Sequence, residues 1–195
     1  MSSRFAFFAS ALLAALFGIF MLLPKGWLAQ EDVGHSLFFI YGTRLNIRSF
    51  EAKIGHAGTP VPAYLPSYRL VFQAKEGMEF GVPNLQPEAN SSVPGAIYNL
   101  SKAQAEALDR AFGAPNFYRR IRVSAIAEGG RQISAETYVL SGDAYYKPPS
   151  AAILESTLEG LRQFGYQEMW EYAVLEAAFG AYQEGKGGQL PANGS

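Results

Sequence analysis

The stretch PGAIYNLSKAQAEALDRAFGAPNFYRRIRV, Pro94–Val123, contains the local pattern on which the fold depends. It opens with PGAIYNL, a short apolar run typical of a strand. Ser101 and Gln104 then have the spacing of a capping box, which predicts the start of a helix. Gly113 and Pro115 end that helix, and the arginine-rich segment after them alternates as a strand does. The stretch therefore predicts a strand, a helix and a second strand in close succession.

The flanking sequence extends this pattern in both directions. Ser36–Asn46 predicts a buried strand that runs into a loop, IRSFEAKIG predicts a helix closed by Gly55, and Tyr68–Ala74 predicts another strand. Downstream, Gly129–Gly130 predicts a hairpin turn between FYRRIRVSAIA and ISAETYVLS. Two helices follow, PPSAAILESTLEGLRQFG and QEMWEYAVLEAAFGAY. Strands come early and helices gather late, which indicates an α+β fold and not a doubly wound sheet.

Composition narrows the possible functions. The chain has 195 residues, 49% of them hydrophobic and 17% charged, which suits one domain with a small appendage. A net charge of −1 disfavours a broad nucleic-acid surface, so no nucleic-acid partner is predicted. Without cysteine there is no disulfide, thiolate zinc site or cysteine nucleophile. With only His35 and His56, a histidine-rich metal site is also disfavoured. We predict neither a metal nor a cofactor.

Residues 5–24 form an apolar segment without charge, between Arg4 and Lys25. Twenty helical residues span about 30 Å, the thickness of a bilayer's hydrocarbon core, so the segment predicts a retained transmembrane helix. A cleaved signal peptide and a buried core helix are the alternatives. The first is disfavoured because the run is long and bulky Trp27 stands at the nearest candidate cleavage site.

The predicted organisation follows from this segment. Residues 1–28 form a transmembrane anchor, 29–35 a linker, 36–184 the folded domain and 185–195 a flexible tail. The flanking charges slightly favour an amino terminus inside the cell. The prediction is a single-pass membrane protein whose domain is extracytoplasmic, or periplasmic.

Five groups of motifs, in order and with close spacing, resemble the γ-glutamylcyclotransferase-like (AIG2-like) family over residues 36–178. They are YGTRLN, LPSYRLVF, PNLQP with SSVPGAIYNL, LDRAFG with FYRRIRV, and PPSAAILESTLEG. The resemblance implies an α+β fold built as a small mixed β-barrel flanked by helices. In this chain, one amino-terminal transmembrane helix would precede the barrel.

The resemblance also implies a chemistry. In the family, the α-amine of a γ-glutamyl group attacks its own γ-carbonyl and closes 5-oxoproline. The glutamate of an L-D-x-x-E-G motif moves the protons as general acid and base. In LDRAFG that position is Phe112, whose ring cannot transfer a proton. We therefore assign no catalytic residue, and we expect Phe112 to pack in the core and not to stack on a ligand.

The family's Y-G-S-N-L loop implies a ligand-binding role for the matching residues here, which are Tyr41, Gly42, Thr43, Arg44 and Leu45. Their backbone N–H groups would cradle the carboxylate and carbonyl of a γ-glutamyl small molecule. Thr43-Arg44 replaces the family's Ser-Asn pair. Arg44 could pair with a carboxylate, but a solvated loop position is the expectation.

Other charged and aromatic residues have less specific predictions. Four acids lie closest in sequence to the candidate pocket segments, and each is expected to be solvated or at a strand edge: Glu76, Glu79, Glu88 and Glu136. Alternation places Arg120 and Arg122 on one face of their strand and Arg119 on the other, and a solvent-facing role is expected. The helical spacing of Met169, Trp170 and Tyr172 indicates core or a docking face.

Two hypotheses remain at this point. In the first, the protein is a membrane-anchored, catalytically silent relative that acts as an accessory or interaction subunit, with a membrane protein or complex as its partner. In the second, it is an active γ-glutamyl cyclotransferase with a relocated acid. Fold alone does not separate them, and the surroundings of Phe112 do.

Overall fold

The computed structural model describes residues 34–179. The strands in this range are β1 Ser36–Ile40, β2 Val61–Ala74, β3 Val82–Leu100, β4 Tyr118–Ala127, β5 Gln132–Leu140 and β6 Tyr145–Tyr146. The α-helices are α1 Ile47–Ile54, α2 Lys102–Phe112, α3 Ala151–Gln163 and α4 Glu168–Phe179. Short 3₁₀ turns cover Gly42–Leu45 and Glu128–Gly130. The predicted α+β class is confirmed.

Five of the strands close into a barrel. Their order is β3-β1-β5-β4-β2, and β2 pairs back to β3, so none of the five is a free edge over the paired residues. The pairs are antiparallel except for β1 and β5, which are parallel where Phe38 lies opposite Glu136. The short β6 adds to the outer part of β2. The predicted small mixed barrel flanked by helices is thus confirmed.

Alternate side chains of β1 enter two separate hydrophobic cores. Phe39 points into the barrel, where it joins small and branched side chains such as Ala125 and Val139. Phe38 and Ile40 point outward into the layer between the barrel and the helices. A Cβ on Gly95 would lie 2.4 Å from Cζ of Phe39, so the glycine makes room for this ring inside the barrel.

The strands β2 and β3 are much longer than predicted. The sequence indicated strands at Tyr68–Ala74 and Pro94–Leu100, whereas β2 has 14 residues and β3 has 19. Prolines within both strands hid this length, since proline lacks the N–H that a ladder uses. A register shift between Pro66 and Tyr68 bends the pair. Tyr68–Ala74 of β2 and Val82–Pro87 of β3 therefore continue as a two-stranded arm past the residues that β2 pairs with β4.

Helix caps follow the sequence pattern closely. At the start of α2, the Gln104 N–H donates to Oγ of Ser101 at 3.3 Å, and the Ser101 N–H donates to Oε1 of Gln104 at 3.0 Å. The predicted capping box is confirmed. Gly113 ends α2 in the left-handed conformation, with φ of 59°, which leaves Phe112 in the last turn. The caps therefore fix where the Phe112 side chain leaves the helix.

Part of the predicted organisation lies outside the described residues. This applies to the anchor at 1–28, most of the linker at 29–35, the last five residues of the domain predicted at 36–184, and the tail at 185–195. Within residues 34–179, no helix is both long enough and apolar enough to cross a membrane.

Candidate functional site

The loop after β1 is held in one conformation by its neighbours. Gly42 has φ of 62°, and a Cβ there would lie 2.5 Å from Cβ of Pro83, so this position requires glycine. Leu45 is buried against the backbone of α3, where a Cβ on Gly160 would lie 2.9 Å from the Leu45 carbonyl carbon. Asn46 then caps α1 by accepting the Ser49 N–H at 3.1 Å. The loop therefore packs between the β2–β3 arm and α3.

Phe112 is the centre of an aromatic cluster. Its ring stacks on Tyr138 with 4.3 Å between centroids and 4° between planes. It also meets Tyr118 edge to face at 4.9 Å. The Arg44 guanidinium lies 5.1 Å from the Phe112 ring centroid, a cation–π distance. Phe112 is half-buried and packs against the outer core, in agreement with the expected packing role.

A cavity of about 90 Å³ opens beside this cluster. Three of the predicted loop residues, Tyr41, Thr43 and Arg44, line it. Leu45 lies in the outer core, and Gly42 lies on a different groove, described below. The remaining lining is Phe39, Ile40, Val82, Pro83, Phe112, Tyr118, Thr137 and Tyr138. No carboxylate is among these residues.

The four candidate acids lie elsewhere. Glu76 and Glu79 are exposed, as expected for solvated charges. Glu88 lies 3.6 Å from Nε of Arg69 on the β2–β3 arm. Glu136 was expected to be solvated or at a strand edge, but it sits on a central barrel strand with its side chain only 31% exposed. The structure corrects that expectation, because Glu136 is an ion-pair partner.

That ion pair belongs to a cluster centred on Arg120. Its Nε and Nη2 donate to the two carboxylate oxygens of Asp109 at 2.8 and 2.6 Å, and its Nη1 donates to Glu136 at 2.8 Å. The Tyr138 hydroxyl donates to Asp109 at 2.7 Å. Arg120 was expected to face solvent, and this is wrong, since the bidentate pair draws it between α2 and the sheet. Arg119 and Arg122 are exposed, as expected.

Asp109 and Tyr138 were not singled out from the sequence. Asp109 precedes Phe112 by three residues, so the two side chains share one face of α2. Tyr138 lies directly opposite Arg120 in the β4–β5 pairing. The signals that could have found them are the helical spacing of Asp109 and Phe112, and the pairing register set by the Gly129–Gly130 turn.

Burial shifts the pKa values of the cavity groups without changing their ordinary charges at neutral pH. Burial raises the pKa of Tyr118 to about 12, with a smaller opposing effect from Arg44. Burial is also the main cause of the raised pKa of Tyr138 and of Tyr41. Burial lowers the pKa of Arg44, although a guanidinium remains charged in proteins. At neutral pH the cavity therefore presents neutral phenols and one cation, with no base.

A second, larger groove of about 650 Å³ lies between the β2–β3 arm and the helices α3 and α4. Trp170 lines it and packs against Tyr64 with 5.4 Å between ring centroids. Gly42 contributes to its wall. The groove and the smaller cavity thus lie on two sides of the same loop.

A family model and solved structures both match this chain. A family model described as "Gamma-glutamyl cyclotransferase, AIG2-like" matches residues 38–157. A solved γ-glutamyl cyclotransferase superposes with a TM-score of 0.67 at 18% identity, covering 83% of this chain and 92% of that one. An uncharacterised protein from Homo sapiens superposes with a TM-score of 0.66 at 19% identity, covering 72% of this chain and 86% of that one.

More distant structures keep the same fold. A γ-glutamyl cyclotransferase from yeast that is specific to glutathione gives a TM-score of 0.55 at 12% identity, covering 77% of this chain and all of that one. At such identities the likeness shows the fold alone. The search of curated proteins finds no match.

Replacing Arg120 tests whether its cluster holds α2 on the barrel. In Arg120→Gln, Asp109 and Glu136 lose their shared cation, and we expect the free energy of unfolding to fall by roughly 1–3 kcal/mol. This is below the range for a fully buried pair, because the Arg120 side chain is 30% exposed. Urea denaturation measures the change. The matched control is Arg119→Gln, at an exposed position, which should stay within about 0.5 kcal/mol of wild type. Equal values for the two variants would contradict the role given to Arg120.

Proposed function

We propose that this chain, which belongs to the γ-glutamyl cyclotransferase, AIG2-like family by a model that matches residues 38–157, is a catalytically silent member of that family. In this proposal it serves as an accessory or interaction subunit of a membrane assembly. The observation that carries the proposal is the position of Phe112. Its ring walls the cavity at the place where the family resemblance implies a glutamate, and the lining of that cavity holds no carboxylate.

Catalytic silence is expected because cyclisation needs two proton transfers. An ammonium proton must leave before attack, and the departing amine must gain one. The phenols of Tyr118 and Tyr138 are neutral at neutral pH, as tyrosines ordinarily are, and burial raises the pKa of each further, so neither is a base there. Asp109 and Glu136 are the nearby acids, and both are bound to Arg120. Neither acid is among the residues that line the cavity.

An exposed apolar surface on α4 supports the interaction role. Met169 is 62% exposed, Tyr172 is 76% exposed and Phe179 is 64% exposed, while Val174 and Ala178 are buried on the other side. A helix with large apolar side chains on opposite faces is normally covered on more than one face. We name Met169, Tyr172 and Phe179 the α4 surface.

The charges around the α4 surface indicate what could cover it. Five acids on α3 and α4 are accompanied by one cation, Arg162, which pairs with Glu171 at 2.8 Å. These acids are Glu155, Glu159, Glu168, Glu171 and Glu176. Such an excess of acids on these two helices suits a protein partner with an apolar ridge flanked by lysine or arginine. It does not suit an anionic lipid surface.

Anchoring is the second part of the proposal. The apolar segment 5–24 lies outside the described residues, and its length and composition support a retained membrane helix. The flanking charges favour an extracytoplasmic domain. An anchor of this kind would keep the domain beside other membrane proteins and raise its effective concentration for a partner there.

Restoring an acid tests catalytic silence. We expect wild type to release no 5-oxoproline from γ-glutamyl amino acids, γ-glutamyl amines or glutathione above background. Phe112→Glu should gain measurable release, since general acid–base groups contribute about 10²–10⁴-fold. Chromatographic quantification of 5-oxoproline is the assay.

Two further variants sharpen this test. Phe112→Leu also opens space but supplies no acid, so it should stay inactive. Phe112→Glu combined with Arg44→Asn removes the cation that would pair with the new glutamate, and it should be the most active form. Activity in wild type that Phe112→Leu leaves unchanged would overturn the proposal and favour a cyclotransferase with a relocated acid.

Removing residues 5–24 tests anchoring. The full chain should sediment with membranes and resist carbonate extraction, while the deleted form should appear in the soluble fraction. Intact-mass measurement of the membrane form should give a chain that retains residues 5–24. A membrane form that begins near Gln30 would contradict a retained helix.

Polar substitutions on the α4 surface test the partner. In detergent extracts of the native host, wild type should migrate as part of an assembly larger than one chain. Met169→Ser with Tyr172→Ser should shift it to a smaller species. The control pair is Phe80→Ser with Tyr145→Ser, two residues that are also exposed, at 40% and 51%, and that should leave migration unchanged. Identical migration of all three forms would remove the support for this surface.

A further inference from the structure

One edge of β2 is unpaired along the middle of the strand. Over the described part of the chain, β4 pairs with β2 at Ala63 and Tyr64, and β6 pairs with it at Gln73 and Ala74. The segment of β2 between these points, Leu65–Phe72, pairs with β3 alone. An unpaired strand edge is a template on which a further strand can form.

The direction of the main-chain groups along this edge follows from the ladder. The Phe72 carbonyl accepts the Lys147 N–H at 3.3 Å, so the main-chain polar groups of Phe72 face away from β3. Pro83, opposite Phe72 on β3, has no N–H, which fits a pair without ladder hydrogen bonds. Alternation along the strand turns the N–H and C=O of Leu70 away from β3 as well. No described residue hydrogen-bonds to the Leu70 main chain on that side, so a donor and an acceptor are available there.

The large groove runs along this edge. Five consecutive residues of β2, Arg69–Gln73, line it. Because consecutive side chains of a strand point to opposite faces, the groove meets the strand at its edge. Tyr146, on the short strand that continues the same edge, also lines it. The groove volume of about 650 Å³ lies within the range of ligand sites in proteins, roughly 300–1,000 Å³.

Helix α4 forms the opposite wall of the groove. Trp170, near the start of α4, packs against Tyr64 of β2. The Tyr146 hydroxyl donates to the Ala178 carbonyl near the end of α4 at 2.7 Å, so the helix runs beside β2 in the same direction. Trp170 and Val174 line the groove from one face of the helix. They are ~6 Å apart along the helix axis, and alternate residues of a strand are ~6.7 Å apart. Alternate side chains of an extended segment therefore match the spacing of this wall.

The charges of the groove favour a basic segment. Two lining residues, Arg69 and Glu88, lie 3.6 Å apart and offset each other. Glu176 on α4 also lines the groove and is exposed. No cation of the described residues lies within 4.0 Å of its carboxylate. A lysine or arginine in the bound segment would complement this charge.

We propose that the groove binds an extended segment of a partner protein, which adds to the free edge of β2 as a further strand. The main chain of the segment bonds to the N–H and C=O of Leu70. Its alternate apolar side chains pack against Trp170 and Val174, and a lysine or arginine pairs with Glu176. The chain's own residues 180–195 are a competing occupant, but they are rich in glycine, which is depleted in strands.

The inference rests on the proposed interaction role and adds to it the chemistry of one partner segment. It does not depend on catalytic silence. It also uses a side of α4 different from the α4 surface, since Val174 is buried and Met169 and Tyr172 are exposed.

A random octapeptide library displayed on phage tests the groove on the purified full chain in detergent. Selection should enrich peptides with apolar residues at alternate positions and at least one lysine or arginine. With an enriched peptide bound, amide hydrogen exchange at Leu70 should slow by about 10-fold or more, because its N–H becomes hydrogen-bonded. The Val71 N–H faces β3, where Val71 pairs with Asn84, and its exchange should change little. These measurements need no variant, so they remain informative if a substituted chain fails to fold.

Two N-methylated forms of the enriched peptide test the main-chain hydrogen bonds. Methyl groups on alternate amides remove the N–H groups that face β2 in one form and the N–H groups that face away from β2 in the other. The first form should bind about 10–100-fold more weakly than the parent peptide, from two lost hydrogen bonds. The second form has the same composition and should bind nearly as well as the parent.

Variants of α4 then place the peptide in the groove. Ala173→Trp fills the groove from an exposed position and should weaken binding by about 10-fold or more. Glu176→Gln should weaken it by about 2–5-fold, the range for an exposed ion pair. Glu168→Gln is the matched control, at an exposed position of α4 outside the groove lining, and should bind as wild type does. Circular dichroism checks that each variant is folded.

Each outcome decides something. No enrichment over a selection without the protein, equal binding of the two N-methylated forms, or unchanged exchange at Leu70 would each overturn the added strand. Peptides that bind only after residues 180–195 are deleted would assign the groove to the chain's own end and overturn the partner segment.

The migration assay on the α4 surface separates this inference from the proposed function. If Met169→Ser with Tyr172→Ser disrupts a native assembly and no octapeptide binds, the groove proposal alone is overturned. If octapeptides bind to a chain that belongs to no assembly, the accessory role is overturned and the groove proposal stands.

Discussion

The bidentate pair between Arg120 and Asp109 is the interaction on which the candidate site depends. It joins a helix to the barrel wall, and it does so one helical turn before Phe112. The same carboxylate accepts the Tyr138 hydroxyl, so the ring on which Phe112 stacks is oriented from its far end. Because one arginine fixes both the helix and the ring below it, the aromatic cluster has little freedom to rearrange. The cavity keeps its shape for the same reason.

This arrangement separates the structural charges from the cavity charge. Asp109, Arg120 and Glu136 satisfy one another outside the cavity lining, and their side chains are about one-third exposed. Arg44 stands on the other side of the aromatic rings without an acidic partner within residues 34–179. The lining of the small cavity thus holds one cation and no carboxylate.

Sequence reasoning succeeded wherever the information was local. The capping box at Ser101, the Gly113 stop and the place of Phe112 in the last turn of α2 follow from spacing within one helix. The resemblance to the family supplied the barrel. The Arg120 cluster was missed because its hydrogen-bonded pairs are 11 to 29 residues apart in sequence and meet only after α2 packs on the sheet. A hairpin register different by one residue would have placed Arg120 on the opposite face.

One other error has a similar cause. The length of β2 and β3 was hidden by prolines that the pairing tolerates, since local propensity does not report a partner strand. The ligand-binding role of the loop residues stays a prediction. The structure places Tyr41, Thr43 and Arg44 on the small cavity, Gly42 on the large groove and Leu45 in the outer core.

That distribution has a mechanical consequence. The turn Gly42–Leu45 contributes to the walls of both compartments. Gly42 lines the large groove, and Arg44 lines the small cavity. Pro83 packs against Gly42, and Gly160 packs against Leu45. Both contacts are so close that a Cβ on either glycine would clash. A residue with a Cβ at Gly42 or Gly160 would therefore displace the turn and alter the walls of the groove and the cavity together.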